Sequence, residues 1–360
     1  MLSLSFSPSS FSMKLFGVLI LTGGLLSGLC PSTATAAEEN TKPVKLIFDT
    51  DMGNDIDDAL ALGVIHSLQS RGECELLAVT VSKDTPEAAR FCDAINTFYL
   101  RGNIPIGIVR DGKTPKPGKF LPLVDVEDNG RPRYPHDITG TSSDTPEAYK
   151  LLRRVLAEQP DHSVAMVVVG FSTNIARLLE SEPDEFSPLN GVELVAQKTT
   201  LLSMMAGHFG KEDRPKNFKE YNVIKDLEAA RVVFEKWPTE LVASGWEIGH
   251  AIKFPATSIM NDFNYVEHHP LKEGYEAYSK MPYDRPNWDL TSVLYAVRPD
   301  RGYFDVTEGG EIHIGPDDYA VYSAEGHGRH RHINVDATQI IRVEEALMYL
   351  ASEPPFPATP

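Results

Sequence analysis

A chain of 360 residues, 42% of them hydrophobic, can bury a full core and falls in the length range where a single α/β domain is common. With 51 Asp and Glu against 34 Lys and Arg, the formal charge of −17 argues against a nucleic acid polymer as partner, since phosphate binding needs a basic face. Neither Cys74 nor Cys92 has a C-x-x-C partner, which argues against a zinc or dithiol redox site, and whether the two meet in a disulfide is a matter of geometry.

The amino terminus reads as a targeting segment. Met13-Lys14 supplies a basic start, Leu15 to Leu29 is mostly apolar, and Ala34-Thr35-Ala36 gives an A-x-A cleavage pattern. This implies a signal peptide over 1–36, with Met1 or Met13 as start, and an exported mature chain beginning near Ala37. The apolar run is short and broken by Thr22, Gly23, Gly24 and Ser27, so no stable membrane anchor is expected.

Beyond it, apolar runs alternate with amphipathic stretches. Strands are predicted at 45–49, 75–81, 106–109, 164–169, 198–204 and 239–243. Helices are predicted at 57–70, 86–100, 146–158, 174–181, 227–236 and 289–297. Such alternation implies an α/β domain over 37–351, with an open, mostly parallel, Rossmann-like sheet and helices on both faces. The dinucleotide fingerprint G-x-G-x-x-G is absent, so dinucleotide chemistry does not follow. The block 111–145, rich in Pro, Gly and charge, reads as a long excursion over the site's rim. Segments 312–314 and 319–322 read as an appended hairpin, and the proline-rich 352–360 as a flexible tail.

Residues 44–62, VKLIFDTDMGNDIDDALAL, carry the most chemistry. An apolar strand delivers Asp49, Asp51, Asp55, Asp57 and Asp58 into a loop that opens a helix, at the strand end where α/β sheets build sites. Helix capping explains Asp57 and Asp58 but not the pair at the strand end. So many like charges need a cation, and carboxylate oxygens favour Ca²⁺ or Mg²⁺. An EF-hand loop is excluded, because its position-twelve Glu would fall on Leu60 or Leu62. A D-x-D phosphatase is the rival, although Met52-Gly53-Asn54 follows where Gly-Thr is usual.

Three further segments follow in order: VAMVVVGFSTNIA from Val164, KEYNVIKDLEAA from Lys219 and RPNWDLTSVLY from Arg285. Together with Asp49-Thr50-Asp51-Met52-Gly53 and Asp57-Asp58-Ala59, they resemble the inosine-uridine-preferring nucleoside hydrolase family. Its D-x-D-x-G-x-D-D-A signature is split here by Asn54 and Asp55, and its usual proline is Met52. The resemblance spans roughly Val44 to Ala351 and implies a nucleoside hydrolase-like fold. It also implies Ca²⁺-dependent hydrolysis of a small-molecule ribonucleoside to base and ribose, by a homo-dimer or homo-tetramer. Asp51, Asp58, Asp289 and the Val169 carbonyl would hold the calcium, with Asp51 deprotonating a metal-held water. Asp57 or Asp55 would face the sugar. Glu220 and Asn222 would take the ribose diol, to which a carboxylate and an amide can both accept and donate, with Tyr221 beside it.

The departures are informative. Trp288 stands where the best-known members have a histidine that activates the leaving base. Tryptophan can stack on a base but has no useful proton to give. His136, His208, His268 and His269 are the spare candidates, and His250 reads as structural. The amide nearest to the family's sugar-binding Asn is Asn217. Ser82-Lys83-Asp84 replaces a Gly-Asn. Lys83 is expected to face solvent, the alternative being a contact to an anionic substrate. Two readings from other classes stay open: a nucleoside- or sugar-binding protein without turnover, and a Mg²⁺ phosphatase using Asp49 or Asp51 as nucleophile.

Overall fold

The acidic loop leaves the middle of an eight-stranded sheet. A computed structural model describes residues 42–140, 145–210, 218–325 and 328–356, all within one compact unit, Thr41–Pro360. The strands are β1 (Val44–Thr50), β2 (Cys74–Lys83), β3 (Ile106–Lys113), β4 (Val164–Val168), β5 (Thr199–Met205), β6 (Glu240–Ser244), β7 (Asp305–Val306) and β8 (His330–Asn334). Their order is β7-β8-β6-β5-β4-β1-β2-β3, and every neighbouring pair is parallel except the edge pair β7–β8. The chain runs outward from β1 through β2 to β3, then crosses back to β4 on the other side of β1. That reversal places a topological switch point at the β1–β4 junction, where an open α/β sheet leaves a crevice.

The connections carry α1 (Asp57–Ser70), α2 (Pro86–Phe98), α3 (Ala148–Ala157), α4 (Thr173–Leu179), α5 (Gly191–Lys198) and α6 (Tyr221–Lys225). The second half adds α7 (Leu227–Lys236), α8 (Trp246–Ala251), α9 (Ala256–Asn261), α10 (Pro270–Tyr278), α11 (Trp288–Val297) and α12 (Ala337–Ala351). Helices α1, α2, α11 and α12 share one hydrophobic cluster, while α3, α4, α5 and α7 share the other. Both clusters draw on the same strands with period two. Leu46 and Phe48 of β1 join the first and Ile47 the second; Ala165 and Val167 of β4 join the first, and Val164, Met166 and Val168 the second. A parallel sheet covered on both faces therefore reads as an unbroken apolar run, and each such Leu, Val or Phe contributes about 1.5–3 kcal/mol by leaving water.

The predicted strands and helices form within a few residues of their expected bounds, α1 and α7 with both ends as expected. The hairpin forms from Glu311–Ile314 and Ala320–Ser323. The 111–145 block is more ordered than a loop excursion. Asp111 to Lys113 extend β3, Leu121–Asp125 makes a 3₁₀ turn, Glu127–Asp128 pairs with Arg131–Pro132, and Phe120 and Leu121 are fully buried.

Segment 1–36 lies outside the described residues, as do 141–144, Asn217 and 357–360. Just before that carboxy-terminal end, Glu353 accepts two bonds from Arg71, at 2.9 and 3.1 Å. No helix among the described residues is long and apolar enough to cross a membrane. Cys74 and Cys92 are buried free thiols, and burial pushes the Cys74 thiol up to about 12.

Candidate active site

Three strand ends converge at the switch point because one residue there has no side chain. Gly170 follows Val169, and a Cβ on it would stand 2.4 Å from both the Asp51 backbone nitrogen and Ser82 Oγ. Ser82 Oγ ties the ends together, accepting from Phe171 N (3.0 Å) and donating to the Thr50 carbonyl (3.2 Å). The acidic loop then turns at Gly53, whose φ of +109° suits only glycine, with Leu121 packed against it.

The five loop aspartates diverge in role. Asp49 does not line the cavity. Its Oδ2 accepts from Thr80 Oγ1 (2.5 Å) and Asn174 Nδ2 (2.8 Å), and burial raises its pKa to about 7. A nucleophile shut inside the sheet has no access to a phosphate ester, which counts against the Asp49 form of the phosphatase reading. Asp51 does line the cavity; burial raises its pKa to about 6, and its Oδ2 accepts from Asn54 Nδ2 at 2.6 Å. Asp55 is taken by Arg285, whose Nε donates at 2.9 Å and whose Nη2 makes a second bond.

Asp57 and Asp58, in the first turn of α1, meet Asp289, in the first turn of α11. One oxygen from each lies within 4.8 Å of the others, and all three side chains are buried. The Asp289 backbone N–H donates to Asp57 Oδ2 at 3.1 Å, and Thr50 Oγ1 donates to Asp58 Oδ1. Burial first, then the neighbouring carboxylates, push all three pKa values well above the usual range. Among the described residues no Lys or Arg forms an ion pair with any of the three, and Asp58 Oδ2 is buried without a partner. Three buried carboxylates drawn together, one with an orphaned oxygen, fit a divalent cation. The resemblance implies Asp51 in this group and Asp57 toward the sugar; in the structure Asp57 completes the triad and Asp51 stands beside it.

The remaining wall comes from β4, β5, α6, α8, α10 and α11. The cavity holds about 370 Å³ and is lined by every described residue to which the family resemblance gives a site role. The Val169 carbonyl accepts from Asn222 Nδ2 at 2.7 Å, joining a predicted metal ligand to a predicted sugar ligand. Glu220 caps α6. Its carboxylate accepts from the backbone of Asn222 (2.8 Å), Val223 (3.0 Å) and Gly207 (3.2 Å), while burial holds its pKa at about 7. Tyr221 is an exposed rim residue packed on Phe171, and Trp288 Nε1 donates to the Trp246 carbonyl at 2.9 Å.

Residues 46–342 match the family model described as inosine-uridine preferring nucleoside hydrolase. The chain belongs to this family. Its reaction class is therefore hydrolysis of a nucleoside's N-glycosidic bond. A plant nucleoside hydrolase is 19% identical, with a TM-score of 0.63, covering 87% of this chain and 100% of its own. For a purine-preferring ribonucleoside hydrolase from Gardnerella vaginalis the values are 18%, 0.61, 86% and 99%. For an inosine-uridine preferring nucleoside hydrolase from Bacillus anthracis they are 17%, 0.63, 86% and 99%. At these identities the likeness establishes a shared fold. Among curated protein sequences none matches.

This nucleoside hydrolase has no histidine on its cavity wall among the described residues. His136 bonds the Tyr134 carbonyl, His268 pairs with Glu273 at 2.6 Å, and buried His269 caps α10. His208 stacks on Trp246 with a centroid distance of 5.7 Å. His250 stacks on the same ring at 4.1 Å.

Lys83 corrects an expectation. It is buried, not solvated, with Nζ donating to Asn54 Oδ1 (2.7 Å) and the Thr114 carbonyl (2.8 Å). Sequence reasoning missed Asn54, Met205, Trp246, Tyr278 and Arg285 as wall residues. Of these, Asn54 and Arg285 lay inside motifs that could have flagged them.

Proposed function

We propose that this family member is a calcium-dependent ribonucleoside hydrolase, in which Asp57, Asp58, Asp289 and the Val169 carbonyl hold the cation and Asp51 is the general base. The observation that carries this reading is the buried carboxylate triad with an orphaned oxygen, set beside a carboxylate of separate bonding. Mixed carboxylate and carbonyl donors suit Ca²⁺, which takes six to eight oxygens flexibly, better than octahedral Mg²⁺. Bound there, the cation supplies Lewis acidity to a water and to the sugar hydroxyls.

The chain's own residues do the rest. Asn54 occupies Asp51 Oδ2, leaving Oδ1 to take a proton from the attacking water. With a pKa of about 6, Asp51 is ionised at neutral pH. Asn222 spends its Nδ2 on backbone carbonyls and offers Oδ1 to a ribose hydroxyl. Glu220, anchored by three amides, stabilises the positive charge that grows on the ring as the bond to the base breaks. Tyr221 and Trp288 wall the base side. The 1–36 segment supports export, and the family resemblance supports a homo-dimer or homo-tetramer.

The test is ribose release from a nucleoside panel by the chain from Ala37 onward, with calcium and with chelator. Calcium-dependent release that vanishes in a folded Asp51→Ala variant is expected. Equal turnover by that variant would end the assignment of the base.

A further inference from the structure

Arg285 is the one cationic side chain on the cavity wall among the described residues, and it is held there from several sides. Asp55 grips Nε and Nη2, and Nη2 also donates to Tyr278 Oη at 3.1 Å. The guanidinium carbon lies 4.9 Å from the Tyr278 ring centroid and 5.1 Å from that of Trp288. Among the described residues Nη1 takes no partner, so two N–H donors remain on a group that cannot reorient freely. Arg285, Tyr278 and Trp288 line the same cavity as the carboxylates, and Trp288 offers the aromatic face on which a base can stack.

We propose that Arg285 stabilises the departing base, donating hydrogen bonds through Nη1 to an acceptor atom on its ring or carbonyl edge. This rests on the ribohydrolase reading above. Arginine keeps its proton in proteins, so its role is not that of an acid. Water oxygen bonds to C1′ while the C1′–N bond breaks and its electron pair moves onto the base. The water's proton goes to Asp51, and the anionic base, held by the Nη1 hydrogen bonds, takes a proton from solvent after release. A clamped donor aimed at developing charge needs no reorganisation as that charge appears. Asp55 is then a positioning residue that fixes the fork.

The leaving group provides the test. Turnover by the calcium-loaded enzyme and by Arg285→Gln and Arg285→Lys is measured on uridine and inosine, and on 4-nitrophenyl β-D-ribofuranoside. The phenolate leaves without help, whereas a nucleobase anion does not. Removing the donor is expected to lower nucleoside turnover by about 10²–10³-fold, with a loss on the nitrophenyl riboside at least about tenfold smaller. A smaller difference between the two losses, including no loss on either substrate, overturns the proposal. Arg285→Lys keeps a cation for Asp55 while losing the fork, so it serves if the glutamine variant fails to fold. An unmodified enzyme that releases ribose from neither substrate overturns the ribohydrolase reading instead, so the two failures are distinct.

Discussion

Replacing Asp289 with asparagine should make the calcium-free protein more stable and the calcium-loaded protein no better than before. The change keeps the side chain's size and spares the Asp289 backbone bond to Asp57. At 4.8 Å, the outer limit of the triad's separations, two unit charges at an effective dielectric near 20 repel by about 3.5 kcal/mol. Asp289 faces two such neighbours, and its raised pKa means that protonation already relieves part of the repulsion. One full pair, about 3.5 kcal/mol, is therefore the expected gain in chelator. A unit of about 300 residues unfolds with an entropy near 0.6 kcal/mol/K, so Tm should rise by roughly 5–6 °C. Calcium a thousandfold above its Kd stabilises the native protein by about 4 kcal/mol and closes that gap, while the variant, short of a ligand, barely responds. Thermal unfolding in chelator and across a calcium titration reads both effects. A variant that melts below the native protein in chelator would show that the triad's charge is satisfied without a cation, and the metal assignment would fall with it.

Three other substitutions probe the frame around the site. Gly170→Ala forces a Cβ to within 2.4 Å of the Asp51 backbone nitrogen, where nothing flexible can yield; a loss of about 1–3 kcal/mol in urea unfolding and of most turnover is expected, and native-like values for both would contradict the close approach. Lys83→Met cuts the chain Lys83–Asn54–Asp51 and leaves the Asn54 amide held only through Nδ2, by Asp51 and Thr114 Oγ1, so kcat should fall roughly 10–100-fold with KM little changed, whereas an unchanged kcat would show that Asp51 needs no such support. Burial depresses His66 and His269 to about 3, so the folded state holds them neutral while the unfolded chain binds a proton on each below about 6.5. The histidines' contribution to stability should therefore be complete above about pH 6.5 and be lost toward pH 3, each at about 1.4 kcal/mol per pH unit; His66→Gln should change the urea-derived slope by one proton, and an unaltered slope would refute the buried neutral form.

The sequence disclosed most where one local rule governed. Leu46 to Phe48 had to be a strand buried on both faces, and Asp57 with Asp58 marked the start of α1. Helix α12 escaped because its buried stripe is narrow: Val343, Leu347 and Leu350 face the core while Ile341 and Tyr349 are exposed. Its start was nonetheless written in Asp336 and Gln339, which form a capping box. Strand β8 escaped because HRHIN looks like surface; its Arg331 pairs with Glu240 on the neighbouring strand. Lys83 misled because lysine is rarely buried, and only the fold could show that Asn54 and the Thr114 carbonyl would meet its ammonium group. How Asp51, Asp55 and Asp57 divide between the triad and the open cavity hangs on the turn made by the inserted Asn54 and Asp55, which residue spacing does not determine.

Those two inserted residues also explain how the loop tolerates its charge. Asn54 reaches Lys83 and Asp55 reaches Arg285, so each insertion recruits a cation from a distant element. Asp51, Asp55, Asp57, Asp58 and Asp289, when ionised, together with these two cations carry a net charge of minus three. A divalent cation would bring that to minus one, and Glu220 adds a carboxylate held in place by three backbone amides. On the proposed calcium reading the site keeps an excess of negative charge beside the sugar, opposite in sign to the charge that an oxocarbenium-like ribose acquires as the base departs. Ground-state ribose carries no such charge, so the site's excess is relieved only on the way to the transition state, which is the differential binding that catalysis requires.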